Sequence, residues 1–253
     1  MIKKNPSLRW EIAQKSEKEY WDEYNNERLI QEEINRHKIK AKIVEGELNK
    51  ILPINKKSRI LQIGCGPEDI INYFSVGELY AIDPLADFYK EKFKIDYKNV
   101  HFSQARAEKL PFDDGFFDIV ILSNVLDHVE YPDKALSEIK RVLKKDGIFY
   151  FENLFYQKGF IFLSKIWAPI KKTITGELFN IHHPHMFQLK DLKSFLLKDL
   201  AILTQQAGKE IGLYENIEEL KKMKQKEKKI TSKILSHFGI YGTIDYTAVC
   251  KKK

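Results

Sequence analysis

The sequence predicts an α/β fold: a doubly wound, mostly parallel sheet of seven strands, preceded by helices and interrupted by helical insertions in its second half. Three observations carry this. From Arg59 onward, short segments rich in Ile, Val and Phe alternate with helical stretches, the pattern of βαβ units. The first of these segments runs into Gly64-Cys65-Gly66, where missing Cβ atoms allow a sharp turn. The second ends on Asp83, 19 residues after Gly64, where a doubly wound sheet places a ligand-binding acid beside its glycine turn.

The elements follow in order. Residues 7–50 read as helical, first a charged segment containing Tyr20, Trp21 and Tyr24. Then Leu29, Ile30, Ile34, Ile39, Ile43, Val44 and Leu48 recur near the helical period until Pro53 ends the run. Strands are expected over 59–63, 78–82, 99–102, 116–122 and 147–151, with helices over 69–74, 87–94 and 133–143 between them. Residues 154–176, apolar and aromatic, are expected to pack over the sheet's edge. A short helix over 191–197 precedes two last strands, 200–205 and 246–251, separated by a lysine-rich helix over 215–237. This gives an N-terminal helical cap over 1–57 and one domain over 58–253, with inserts at about 153–198 and 206–244.

Composition narrows the class. Of 253 residues 43% are hydrophobic, with only 12 Gly and 8 Pro, which excludes a disordered or collagen-like chain. Two cysteines, Cys65 and Cys250, argue against a disulfide scaffold. The longest apolar stretch, 159–170, is broken by Lys165 and is shorter than the roughly 20 residues that span a bilayer. The N-terminus lacks the apolar run of a signal peptide. The chain reads as soluble and cytoplasmic, away from membranes. Its net charge of +7 divides into +3 over 1–58, −1 over 59–205 and +5 over 206–253. A basic rim attracts nucleic acid or acidic ligands, but lysine-rich runs are more often solvated helix faces.

The block from Ala107 to Glu130, Ala-Glu-Lys-Leu-Pro-Phe-Asp-Asp-Gly-Phe-Phe-Asp-Ile-Val-Ile-Leu-Ser-Asn-Val-Leu-Asp-His-Val-Glu, identifies the family. With the glycine turn, Asp83 and the helix before Gly147, it closely resembles the type 11-like domain of class I S-adenosylmethionine-dependent methyltransferases. The resemblance covers about residues 58–152 and implies the Rossmann-like methyltransferase fold. A nicotinamide-binding domain would carry a third glycine where Asp69 stands.

The resemblance implies a cofactor site for S-adenosylmethionine and its product S-adenosylhomocysteine. Gly64 and Gly66 would floor the amino-acid end, beside Gln62. Asp83 would hold the ribose hydroxyls, with Pro84 by the adenine. Ala107 and Glu108 would flank the adenine edge, and Ser123 would meet the methionine moiety through its backbone. The family usually carries an acid at Gln62 and a small residue at Glu68.

The cofactor activates the methyl group, so the protein must align an acceptor and, for a hydroxyl, remove its proton. His128 and His185 are the candidate bases, and Tyr20, His182 and His183 candidate walls of the acceptor pocket. Three histidines within 182–185 also suggest a metal site, but Pro184 breaks any helix that would set two of them on one face. A pocket wall without metal is the preferred reading. The expected activity is methyl transfer to a small-molecule oxygen nucleophile, without nucleic acid. RNA methylation and a non-catalytic scaffold keeping the fold stay open, and oligomeric state is not legible.

Overall fold

The computed structural model describes residues 6–23, 27–93, 97, 99–175, 183–191, 199–208 and 243–253. Two helices, α1 (Pro6–Glu23) and α2 (Glu27–Ile51), lead into a seven-stranded sheet. Its strands are β1 (Arg59–Ile63), β2 (Glu78–Asp83), β3 (Val100–Gln104), β4 (Phe117–Ser123), β5 (Leu143–Tyr156), β6 (Leu200–Gly208) and β7 (Thr243–Lys252). They lie in the order β3-β2-β1-β4-β5-β7-β6, and β1 to β5 are parallel. Strand β7 runs antiparallel to both β5 and β6. The strand order reverses at β1, which has β2 on one side and β4 on the other. Ligands in such sheets bind in the crevice that opens there, at the strands' carboxyl ends.

Side chains alternate across the sheet and fill two cores. On one face Leu61, Ile63, Val120, Leu122, Phe149 and Phe151 pack against helix α4 (Pro132–Val142). That helix starts with Pro at its first turn, carries Lys140 and Arg141 in its last, and buries Ala135, Leu136, Ile139 and Val142. On the other face Ile60, Leu79, Ala81, Ile119, Ile121 and Ile148 pack against Ala41, Val44 and Leu48 of α2, all fully buried. Helix α2 is thus a covering layer of the sheet, and α1 lies over the crevice together with Glu33 and His37 of α2.

Local differences from the expected elements have simple causes. The stretch after β1 forms a 3-10 turn, Ile70–Tyr73, because Asp69 and Asn72 close a capping box around so short a segment. Helix α3 (Ala86–Lys92) follows β2. Residues 154–156 continue β5, paired with 243–245 of β7. The rest of the apolar stretch becomes α5 (Lys158–Thr175), which turns Phe162, Leu163, Ile166, Trp167, Ile170 and Ile174 outward instead of over the sheet edge. The helix expected over 215–237 and most of that over 191–197 lie outside the described residues.

Candidate functional site

The turn after β1 shows why glycine is required. The Gly64 N–H donates to the Ile82 carbonyl (2.8 Å), pulling the loop across the end of β2. Gly64 has φ +66°, and a Cβ there would collide with the side chain of Val125. Gly66 has φ +57°, and a Cβ there would meet nothing within 4 Å, so this backbone is open to a ligand. Its N–H donates to Asp83 Oδ2 (3.0 Å), while the Leu85 N–H donates to Asp83 Oδ1 (2.9 Å). Each carboxylate oxygen has further lone pairs for incoming hydroxyls. Asp83 is buried, and burial pushes its carboxyl up to about 6 although both N–H bonds oppose this. Burial, then Asp83 and Asp69, also raises the neighbouring Cys65 thiol, which stays protonated.

A cavity of about 260 Å³ opens over this loop. Gly64, Gly66, Asp83, Pro84, Ala107 and Glu108 line it, with His128 at the end of β4. From α1 come Trp10, Gln14, Glu17 and Trp21, spaced as one stripe of a helix. Trp21 is anchored edge-to-face on Tyr89 and Phe93 and donates through Nε1 to Glu17 (2.9 Å). Tyr20, expected here, is half-exposed and lies outside the lining, because one residue along a helix rotates the side chain by about 100°.

The lining is acidic. Glu17, Glu33, Glu68, Asp69, Asp83 and Glu108 contribute to it, while among the described residues its basic side chains are His37 and His128, without Lys or Arg. Gln62 is not part of it. This fully buried side chain donates to Asp69 Oδ2 (2.6 Å) and accepts from the Ile71 N–H (2.9 Å), holding the loop from beneath. The acidity missing at Gln62 is supplied by the two residues that follow the turn, Glu68 and Asp69. Glu68 pairs with His37 Nδ1 (2.8 Å), and burial raises Asp69 against the pull of His37 and Lys40.

Ser123 lies below the cavity as well. Its Oγ accepts from Lys40 Nζ (3.0 Å) and donates to Glu152 Oε2 (3.3 Å). Lys40 also bridges to Glu152 at 2.8 Å, tying α2 to β5. Burial would raise Glu152, but Lys40 and the hydroxyls of Tyr150 and Ser123 outweigh it and hold the carboxylate low. Asn124, with φ 55°, and Val125 reach the cavity in place of the Ser123 side chain. Glu108 accepts from the Glu130 N–H (2.7 Å) and the Tyr131 N–H (3.2 Å), so it clamps the segment after β4 while lining the pocket.

Beside His128 stands a second cluster. His183 Nδ1 lies 2.7 Å from Asp127 Oδ2, and the rings of His128 and His183 meet at a centroid distance of 4.5 Å. Asp127 is buried, and burial alone would raise it. The His183 hydrogen bond and both imidazoles prevail and lower it, so the carboxylate is ionised and Nδ1 carries the proton. The geometry treats His185 differently: its Nε2 donates to the Val129 carbonyl (2.9 Å), its N–H donates to the Asp127 carbonyl (3.2 Å), and its ring stacks on Phe187. It fastens the loop and does not line the cavity. Arg9 of α1 reaches the carbonyls of His183 and Pro184 (3.3 and 3.2 Å), joining lid and loop. His182 and Tyr24 lie outside the described residues. Ligand atoms of Asp127, His128 and His183 lie within 4.8 Å of one another, the one such group among the described residues with a donor set for a divalent cation.

Sequence reasoning missed Asp127, Trp10, Glu17 and the Lys40–Glu152 pair. The signal for the first was available: an Asp directly before His128 at a strand's end, with a second histidine group downstream. The Trp10–Gln14–Glu17–Trp21 spacing was a helical stripe already visible in the chain.

Residues 61–151 match the family model described as a methyltransferase domain. An uncharacterized methyltransferase of Schizosaccharomyces pombe is 36% identical over 108 residues, 37% of this chain and 39% of that one. The ubiquinone/menaquinone biosynthesis C-methyltransferase UbiE of Vibrio vulnificus is 39% identical over 100 residues, 35% of this chain and 38% of that one. The match thus spans about two fifths of these relatives' length. Among solved structures, a protein of Bacillus halodurans assigned as a methyltransferase superposes with a TM-score of 0.55 at 18% identity, over 82% of this chain and 98% of that one. The phosphoethanolamine N-methyltransferase 2 of Haemonchus contortus, in complex with phosphomonomethylethanolamine and S-adenosylhomocysteine, gives 0.52 at 17% identity over 81% and 51%. At such identity these likenesses show the fold. The seven-stranded sheet has the α/β fold of these methyltransferase structures, and residues 61–151 are the segment that matches the methyltransferase-domain model.

Proposed function

We propose that the chain uses S-adenosylmethionine to methylate a hydroxyl of a small-molecule acceptor. The observation that carries this reading is the acidic cavity over the Gly64–Gly66 turn, closed by α1. Its residues suit that cofactor. Asp83 retains lone pairs that would accept from two ribose hydroxyls, the Gly66 backbone is open, and the carboxylates of Glu68 and Asp69 in the lining would suit the cofactor's positive charge. When bound, S-adenosylmethionine supplies a methyl group activated by its sulfonium.

The chain's own residues supply the rest. Trp10 and Trp21 line the cavity on the α1 side and give an acceptor an apolar wall. His128 presents an imidazole to the cavity, and Asp127 holds His183 behind it in the tautomer whose Nε2 accepts a proton. An acceptor hydroxyl seated by His128 loses its proton to this pair as the methyl group is transferred, an assistance that typically contributes about 10²–10⁴-fold. Carbon acceptors, as the name of the Vibrio relative implies for that protein, remain a second outcome of the same assay.

The acidic lining also bears on the RNA alternative. A polyanion brought to this cavity meets six carboxylates and, among the described residues, no Lys or Arg. The basic excess sits in the two ends of the sequence.

Calorimetry with S-adenosylhomocysteine tests the reading. Saturable binding that is markedly weakened in Asp83→Ala is expected. The absence of binding by the wild-type chain at millimolar ligand would return the scaffold alternative. Turnover after dialysis against a chelator separates the two uses of the histidine cluster. Unchanged turnover is expected of an imidazole base, and loss restored by added zinc or manganese would assign the cluster to a cation.

A further inference from the structure

Helix α5 (Lys158–Thr175) has no part in the cavity. It carries six of the ten large apolar side chains that are exposed among the described residues: Phe162, Leu163, Ile166, Trp167, Ile170 and Ile174, between 41% and 72% exposed. At about 100° per residue these six fall within an arc of about 140°. The opposite side, with buried Ser164 and half-buried Ile161 and Ala168, faces the protein. The stripe is therefore the outward face of a helix already seated on the fold.

The helix contains four lysines, Lys158, Lys165, Lys171 and Lys172, and no Asp or Glu. On the same wheel Lys171 lies just beyond one edge of the stripe. The other three lie beyond the opposite edge, between it and the inward side. An apolar face rimmed by lysines on both sides has the cross-section of a helix lying in a lipid interface. There the apolar side chains enter the acyl boundary, lysines reach back to the headgroups, and a Trp sits at the polar boundary. A contiguous apolar patch of this kind marks an interaction surface. The lysines on its rim select a negatively charged one.

We infer that α5 docks the protein on the surface of an anionic lipid bilayer. No described helix is long and apolar enough to cross a membrane. Lying on one requires no such length, because only one face is buried. This differs from the expectation drawn from composition, where the interruption by Lys165 argued against a membrane. On the helix that lysine belongs to the rim. The inference is independent of the methyl-transfer reading, since none of these residues lines the cavity.

Cosedimentation of the full chain with unilamellar vesicles tests it. Vesicles of phosphatidylcholine alone are compared with vesicles containing phosphatidylglycerol, at low and high salt. The expected result is binding at least about tenfold tighter to the anionic vesicles, weakened by salt. It should be abolished in Ile166→Asp/Ile170→Asp and reduced in Lys165→Glu/Lys172→Glu. Both variants change exposed positions, so melting temperature and S-adenosylhomocysteine binding should match the wild type. Three results would overturn the inference: a wild-type chain that stays in the supernatant with both vesicles, equal and salt-insensitive binding to both, or vesicle binding that survives Ile166→Asp/Ile170→Asp. If light scattering instead shows a wild-type dimer that this variant dissociates, with no vesicle binding, the face is a protein interface and the inference also falls.

Discussion

Asp83 and Asp127 stand near the carboxyl edge of one sheet, one closing β2 and the other following β4, and both are buried. They titrate in opposite directions. Burial raises Asp83 to about 6, and Glu17 adds to the rise, against the two backbone N–H bonds that Asp83 accepts. Asp127 meets the same desolvation, yet two imidazoles bring it below the usual carboxylate range. The first carboxylate is left with unused accepting capacity and no counter-charge. The second is already part of a dyad. Equal burial thus leaves spare accepting capacity in one place and a carboxylate–imidazole pair in the other, and the difference lies in which donors the loops bring.

The largest effect that could break this comparison is on turnover. His183→Ala should lower it by about 10²–10⁴-fold once an acceptor is known, with S-adenosylhomocysteine affinity within twofold of the wild type. His185→Ala should instead lower the melting temperature, since its ring bonds only backbone carbonyls in the structure. A normal rate in His183→Ala would remove the dyad from the chemistry. Next in size is cofactor affinity. Removing a buried carboxylate that accepts hydroxyl donors costs about 1.5–3 kcal/mol, so Asp83→Ala should bind S-adenosylhomocysteine tens-fold more weakly, as read by calorimetry.

The third effect sharpens the contrast through pH. Hydroxyl donors favour the ionised form of Asp83, so affinity should be full above about pH 6 and fall as pH drops through it, by up to about tenfold per unit. Without ligand the sign reverses for stability. The folded carboxyl holds its proton more tightly than the unfolded one, so this group favours folding most below about pH 4, and that contribution is lost as pH rises through about 6. Asp83→Asn should flatten both profiles; unchanged profiles in that variant would assign the titration elsewhere. The smallest effect concerns the lid. Arg9→Ala removes two half-buried bonds to the carbonyls of the His183 loop. At about 0.5–1.5 kcal/mol per bond, it should lower the melting temperature by a few degrees, with turnover falling by less than for His183→Ala.

Much of this was legible in the chain. Strands β1, β2 and β4 came out within a residue of their observed limits, because each is a short, mostly apolar run bounded by a turn. The glycine turn and Asp83 stood out by spacing, and Gly64, Gly66, Asp83, Pro84, Ala107, Glu108 and His128 share one cavity. What failed to read were side chains whose role depends on rotation or on a distant partner. Tyr20 and Trp21 are neighbours with equal aromatic character, and only the azimuth of α1 decides which faces the cavity. His183 and His185 are chemically identical, and the choice between them rests on Asp127, 56 residues earlier.

The chain's own pattern was enough to determine the parallel sheet, its glycine turn and the acid after β2, because hydrophobic period and turn chemistry are local properties. The tertiary structure alone decided that Gln62 supports the loop while Glu68 and Asp69 bring the charge. It also decided that His183 takes the carboxylate and that α5 presents its apolar stripe outward. Each of these depends on what a side chain meets across a gap the sequence does not measure: a buried carboxylate seeks the nearest donor in space, and a helix buries the face its neighbours leave uncovered.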